Sequence, residues 1–227
     1  HKQAMVQALQ QEIRLSVDYL AGEVVDTIYF GGGTPSLLKP EELSTLLETI
    51  RAIYAVSAQA EITLEANPDD INEIPLQQWK AVGINRLSIG VQSFREEDLQ
   101  WMHRAHNAHQ SLEAMTLSKR YFDNITIDLI YGVPGLSNED WKKNIETALK
   151  LGVEVFVSPT ISILNVFHVT DLFDAIVKLG IKPSYIIFNN FLTDPQCYDI
   201  RILPEDLKEE LMNKLESYHK NLPEGAY

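Results

Sequence analysis

Cysteine is almost missing: one, Cys197, occurs in 227 residues. A disulfide within the chain is therefore excluded, and the cytoplasm is the expected compartment. One thiol also falls short of the several cysteine ligands that an iron–sulfur cluster takes. Basic residues are scarce as well, with 19 Lys and Arg against 32 Asp and Glu and a formal net charge of −13. A chain so acidic repels phosphate backbones and anionic lipid, so neither nucleic acid nor a membrane surface is an expected partner, although a local basic pocket is still allowed. No run of eighteen apolar residues exists, which excludes a spanning helix. The opening HKQAMVQALQQEI is polar and helical in pattern, unlike a signal peptide.

What is present is an ordinary globular composition, 45% hydrophobic and 22% charged. The length suits one α/β domain over residues 1–227. Short segments rich in Val, Ile, Leu, Tyr and Phe read as strands: Val24–Phe30, Ile62–Ala66, Arg86–Val91, Ile125–Tyr131, Val153–Ile161 and Tyr185–Phe191. Several are nearly continuous apolar runs, the pattern of strands buried on both faces. Amphipathic helices fill the gaps. The first carries Met5, Leu9, Ile13 and Val17; another opens at Pro40, with Glu41 and Glu42 at its positive end. Ser137 is placed to cap a helix bearing Trp141, Ile145 and Leu149. Thr170 is placed to cap Leu172–Leu179, which Gly180 ends, and Pro204 opens a last helix striped by Leu207, Leu211 and Leu215. Strand–helix alternation of this kind predicts an α/β fold, a partial (β/α)6 parallel barrel of TIM-like form, with a doubly wound sheet as the alternative.

In such a barrel the chemistry gathers at the carboxyl ends of the strands. The first strand runs into Gly31-Gly32-Gly33-Thr34-Pro35, the second into Glu65-Ala66-Asn67-Pro68-Asp69 and the third into Gly90-Val91-Gln92-Ser93-Phe94. The fourth carries Asp128 ahead of Tyr131-Gly132-Val133-Pro134-Gly135. Three glycines let backbone approach a ligand with no Cβ in the way, or merely make a tight turn. Glu65, Gln92 and Asp128 can converge on one mouth, or each can serve as a cap or a loop ion pair. His103, His106 and His109 step by three, so on one helix the outer two diverge by roughly 120° and do not share a metal. A metal hydrolase built on Glu65, Asp69 and Asp128 lacks clear ligand spacing.

Taken together, YFGGGTPSLL, EITLEANPDD, GINRLSIGVQSF, MHRAH and ITIDLIYGVPG, in this order, resemble the oxygen-independent coproporphyrinogen III oxidase group of radical-SAM proteins, and most of all its haem-chaperone branch. The resemblance covers residues 1–152. It implies an S-adenosylmethionine pocket in which Gly32, Gly33 and Thr34 meet the amino group of the methionine moiety. Glu65 and Gln92 line that pocket, Arg104 pairs with the carboxylate through its guanidinium fork, and Asp128 takes the ribose hydroxyls. In this family a CxxxCxxC loop ahead of the first strand seen here holds a [4Fe–4S] cluster, whose electron turns S-adenosylmethionine into a 5′-deoxyadenosyl radical.

That loop is not in this sequence, and Cys197, single and far away, does not replace it. From Val153 onward the text departs from the family and is similar to a SPASM- or twitch-type branch, as if two relatives were recombined, or joined by design, near 151–154. Asn165 then either belongs to the pocket or caps a loop. The expectation is a weakly S-adenosylmethionine-binding core without redox catalysis; the alternatives are a non-catalytic haem- or S-adenosylmethionine-binding module, with His168 as a candidate haem ligand, and a barrel scaffold without activity. Substrate and oligomeric state have no signature in the residues.

Overall fold

A computed structural model of the chain describes residues 2–153, 158–178, 181, 185–187 and 190–221. The chain divides into two units, His1–Val153 and Glu154–Tyr227.

In the first unit, β1 (Val25–Phe30), β2 (Val56–Ala66), β3 (Arg86–Gln92) and β4 (Asn124–Leu129) form a parallel sheet in the order β1-β2-β3-β4. Helices precede, connect or follow them: α1 (Lys2–Leu15), α2 (Pro40–Ile53), α3 (Glu73–Val82), α4 (Glu96–Trp101), α5 (Ala108–Ser118) and α6 (Asn138–Lys150). Parallel strands need such crossovers, and here chain order and sheet order coincide. Proline at the first helical position and Glu42, which accepts a hydrogen bond from the Lys39 N–H at 2.7 Å, start α2. Ser137 caps α6 as its position predicts, accepting from the Asp140 N–H at 3.1 Å.

The sheet has one apolar face and one polar face. Ile28, Ile62, Leu64, Leu87, Ile89 and Val91 are buried in the core with Leu43, Leu47, Leu76 and Trp79 of the helices. Each fully buried aliphatic side chain contributes roughly 1.5–3 kcal/mol relative to an exposed one. The other parity carries Tyr29, Glu61, Thr63, Glu65, Arg86, Ser88, Thr126 and Asp128. Arg86 binds across it, donating to Thr63 Oγ1 and Thr126 Oγ1 at 3.1 Å each and lying 3.5 Å from Glu61. Strands apolar on both faces were expected; β2–β4 instead alternate, and their second face carries polar side chains even where it is buried, as at Thr63 and Ser88.

Two helix readings are corrected. In α1 the buried residue is Val6, whereas Met5 and Leu9 are exposed and only Ile13 of the expected stripe meets the core; Val17, also exposed, lies beyond the end of the helix. A four-residue step drifts around a helix of 3.6 residues per turn, so the true contact line lies one residue aside. Thr170 does not cap: α7 (Val169–Lys178) already includes it, and its side is buried. Gly180, expected to end that helix, lies outside the described residues.

In the second unit, β5 (Thr160–Ile161) and β6 (Asn190–Phe191) pair in parallel. The expected strands Val153–Ile161 and Tyr185–Phe191 are thus too long at their starts: residues 153, 158–159, 185 and 187 are not strand, and residues 154–157 and 188–189 lie outside the described set. Among the described residues, the first unit holds a four-stranded sheet and the second a pair of two-residue strands. A small core of Ile161, Val166 and Leu211 takes in two of the three expected stripe residues of α8 (Glu205–Lys220), Leu211 within it and Leu215 packed against it. Tyr218 of α8 bonds Asp174 of α7 through its hydroxyl; burial and that carboxylate push the phenol up to about 12.

Candidate functional site

The carboxyl ends of β1–β4 surround a cavity of about 200 Å³ lined by Gly33, Thr34, Glu65, Asn67, Ser88, Gly90, Gln92, Arg104 and Asp128, among others. The turn after β1 is built on left-handed backbone at Gly32 (φ 78°) and Gly33 (φ 62°), which a side chain would strain. Glu65 holds this turn: one carboxylate oxygen accepts from the Gly32 N–H at 3.0 Å and the other from the Tyr29 hydroxyl at 2.7 Å. The Gly32 N–H is therefore already engaged within the chain. Gly31 is glycine because a Cβ there would stand 2.5 Å from the Tyr29 ring and 3.0 Å from Glu65. Burial first, and then Glu65, raise the Tyr29 phenol above its ordinary value.

β3 ends irregularly. Its register with β4 shifts between Ile89 and Gln92, and Gln92 has φ 66°. A bulge of this kind re-aims a side chain, and left-handed backbone on a non-glycine residue at a site costs on the order of 1–3 kcal/mol. Gln92, Arg104 and Asn67 converge on Gly90, where a Cβ would come within 2.8 Å of Gln92 Nε2, 3.5 Å of Arg104 and 3.5 Å of Asn67. Arg104 donates to Asn67 Oδ1 at 2.7 Å and reaches the Gly90 carbonyl at 3.4 Å, while its Nε is buried without a hydrogen-bond partner. Asp128 stands at the rim, open to water on one side. Loss of water on the other side raises its carboxyl above the usual carboxylate range; Glu65 adds to this and Arg86 opposes it.

The cavity thus joins a glycine turn, two carboxylates and a guanidinium whose buried nitrogen lacks a partner. Residues 5–148 match the family model of the radical SAM superfamily. The chain belongs to that superfamily.

Curated relatives of this radical SAM chain include the heme chaperone HemW of Escherichia coli (strain K12), 38% identical over 147 residues, which are 64% of this chain and 39% of the relative. The heme chaperone HemW of Buchnera aphidicola is 34% identical over 145 residues, again 64% and 39%. The chain therefore spans about two fifths of these relatives' length. Among solved structures, coproporphyrinogen III oxidase (HemN) from Escherichia coli superposes with TM-score 0.59 at 32% identity, over 65% of this chain and 34% of that one. The Elp3 protein of Methanocaldococcus infernus superposes with TM-score 0.57 at 18% identity, covering 92% and 59%, a likeness of fold alone.

All seven residues singled out in the sequence come together here: Gly33, Thr34, Glu65, Gln92, Arg104 and Asp128 line the cavity, and Gly32 is bonded to Glu65. Tyr29, Asn67, Ser88 and Gly90 were missed. Alternation along the strands signals Tyr29 and Ser88, which share the polar parity with Glu65; Asn67 and Gly90 show only through contacts.

The histidines differ from expectation. They do not lie on one helix, because α4 ends at Trp101, His103 is left-handed (φ 54°) and α5 begins at Ala108. His106 is buried, its Nε2 3.1 Å from the Val91 carbonyl, whereas His109 is exposed beside Glu113. Among the described residues, no group of three His, Cys, Asp or Glu is placed to hold a metal. Of the second-unit candidates, Asn165 caps its loop, accepting from the Ser162 N–H and donating to the Thr160 carbonyl at 2.9 and 2.8 Å. His168 is exposed and 3.2 Å from Asp171, and Cys197 is exposed. No helix among the described residues is long and apolar enough to cross a membrane.

Proposed function

We propose that the cavity binds S-adenosylmethionine, and that the chain is the S-adenosylmethionine-binding core of a radical SAM protein of the haem-chaperone or coproporphyrinogen-oxidase kind. The observation that carries this is the partnerless buried Nε of Arg104 in a cavity that also holds Glu65 and Asp128. A guanidinium fork suits the methionine carboxylate. The two carboxylates suit the ammonium and sulfonium charges and the ribose hydroxyls, and the glycine turn admits the ligand with no Cβ in its path. At about 200 Å³ the cavity is smaller than the roughly 300–1,000 Å³ of sites that enclose a whole ligand. It therefore seats part of the molecule. When bound, S-adenosylmethionine would supply its sulfonium centre; the chain's residues bind and orient it.

A [4Fe–4S] cluster does not fit the residues of this sequence, since one cysteine does not supply its ligands. Binding to the chain alone is accordingly weak, and redox catalysis is not a property of these residues alone. Titration calorimetry of S-adenosylmethionine against wild type, Arg104→Lys and Arg104→Ala tests the assignment. Saturable binding with Kd above about 1 μM, which corresponds to about −8.2 kcal/mol, is expected in wild type. It should weaken in the lysine variant and more in the alanine variant. Equal affinity in all three would remove Arg104 from the site, and sub-micromolar affinity in wild type would contradict the weak-binding reading.

A further inference from the structure

We propose that His106 is a positioning residue of this site: its ring secures the backbone turn that aims Gln92 into the cavity. The inference rests on the reading of the cavity as an S-adenosylmethionine site. The Ser93 N–H donates to the Val91 carbonyl at 2.8 Å across Gln92, whose φ is 66°. An i to i+2 bond around positive φ is the rare, strained form of γ-turn. Such backbone persists only where its surroundings over-determine it.

The Ile130 N–H donates to the Gln92 carbonyl at 2.9 Å and Asn144 donates to Ser93 Oγ at 3.0 Å, and His106 meets the carbonyl that closes the turn. Its Nε2 is 3.1 Å from the same Val91 oxygen. A carbonyl only accepts, so Nε2 carries the proton and donates. The side chain is 1% exposed, which keeps this bond out of water, and its Nδ1 lies 3.6 Å from Asp69. Asp69 follows Asn67, the acceptor for Arg104, by two residues. The ring therefore stands between the end of β3 and the turn after β2. The left-handed backbone of His103 and the bond from the Arg104 N–H to the Leu99 carbonyl at 2.9 Å turn the chain back after α4. That reversal delivers Arg104 to the cavity and, two residues on, His106 to the turn.

The test uses the full chain with His106→Phe, which keeps a ring and removes the donor, and His106→Gln, which keeps an N–H donor. Both should melt cooperatively. S-adenosylmethionine affinity should fall about tenfold in His106→Phe, the order of one lost buried hydrogen bond, and recover at least partly in His106→Gln. If wild type binds and His106→Phe binds equally well, or if both variants lose affinity alike, the ring is only packing and the proposal is overturned. Proton exchange at the Ser93 amide gives a readout that needs no ligand. It should be about tenfold faster in His106→Phe than in wild type, with the β3 amides before the turn unchanged. If wild type binds no S-adenosylmethionine, the site reading fails and Ser93 exchange alone decides: acceleration upholds the positioning role, and an unchanged rate overturns it.

Discussion

At the residue scale, Asp128 gives the fold a pH signature. Its carboxyl is raised in the folded chain by lost water and by Glu65. The folded state therefore binds its proton more tightly than the unfolded chain, and stability is lost as pH rises through the raised value. Asp128→Asn, which has no charge to bury, should melt higher than wild type near neutrality. The gap should close on acidification below the ordinary carboxylate value; a gap that widens on acidification would contradict the account. Gly90→Ala makes a second prediction. The added Cβ would sit 2.8 Å from Gln92 Nε2, so Gln92 must swing away. Weaker S-adenosylmethionine binding with little change in melting temperature is expected, checked by calorimetry beside thermal denaturation. The glycines and acids of the site were legible because each sits where a strand gives out into a loop. The γ-turn at Gln92 and the burial of His106 were not legible, since φ and burial there follow from contacts between segments remote in sequence.

At the element scale, local signals read well where chemistry dictates them. Pro40 opens α2, Ser137 caps α6 and Pro204 precedes α8. Ser137→Ala should destabilise the first unit by about 0.5–2 kcal/mol, read from denaturant midpoints. Leu64, fully buried in β2, should cost about 2–5 kcal/mol when cut to alanine. A loss below about 1 kcal/mol would mean that the helix-facing side of the sheet is less tightly packed than described. The strands were placed well but their faces misread. Thr63, Arg86 and Thr126 break the apolar runs, and their alternation marks a polar face that supports the cavity. In α1, polar and apolar residues are evenly balanced, so its burial on Val6 is set by packing against α2 rather than by an obvious stripe.

At the scale of the whole molecule, family membership rests on residues 5–148, and every residue proposed for the site lies within the unit His1–Val153. Parallel strands joined by helices were legible from the period of the sequence. The division into units depends on tertiary contacts that spacing does not encode. The most direct test is calorimetric titration of S-adenosylmethionine into the full chain with Asp128→Ala beside it. The account predicts saturable, weak binding in wild type that is lost in the variant, while both melt cooperatively. A cooperatively folded wild type that binds no S-adenosylmethionine, or a variant that binds it as well as wild type, would contradict it.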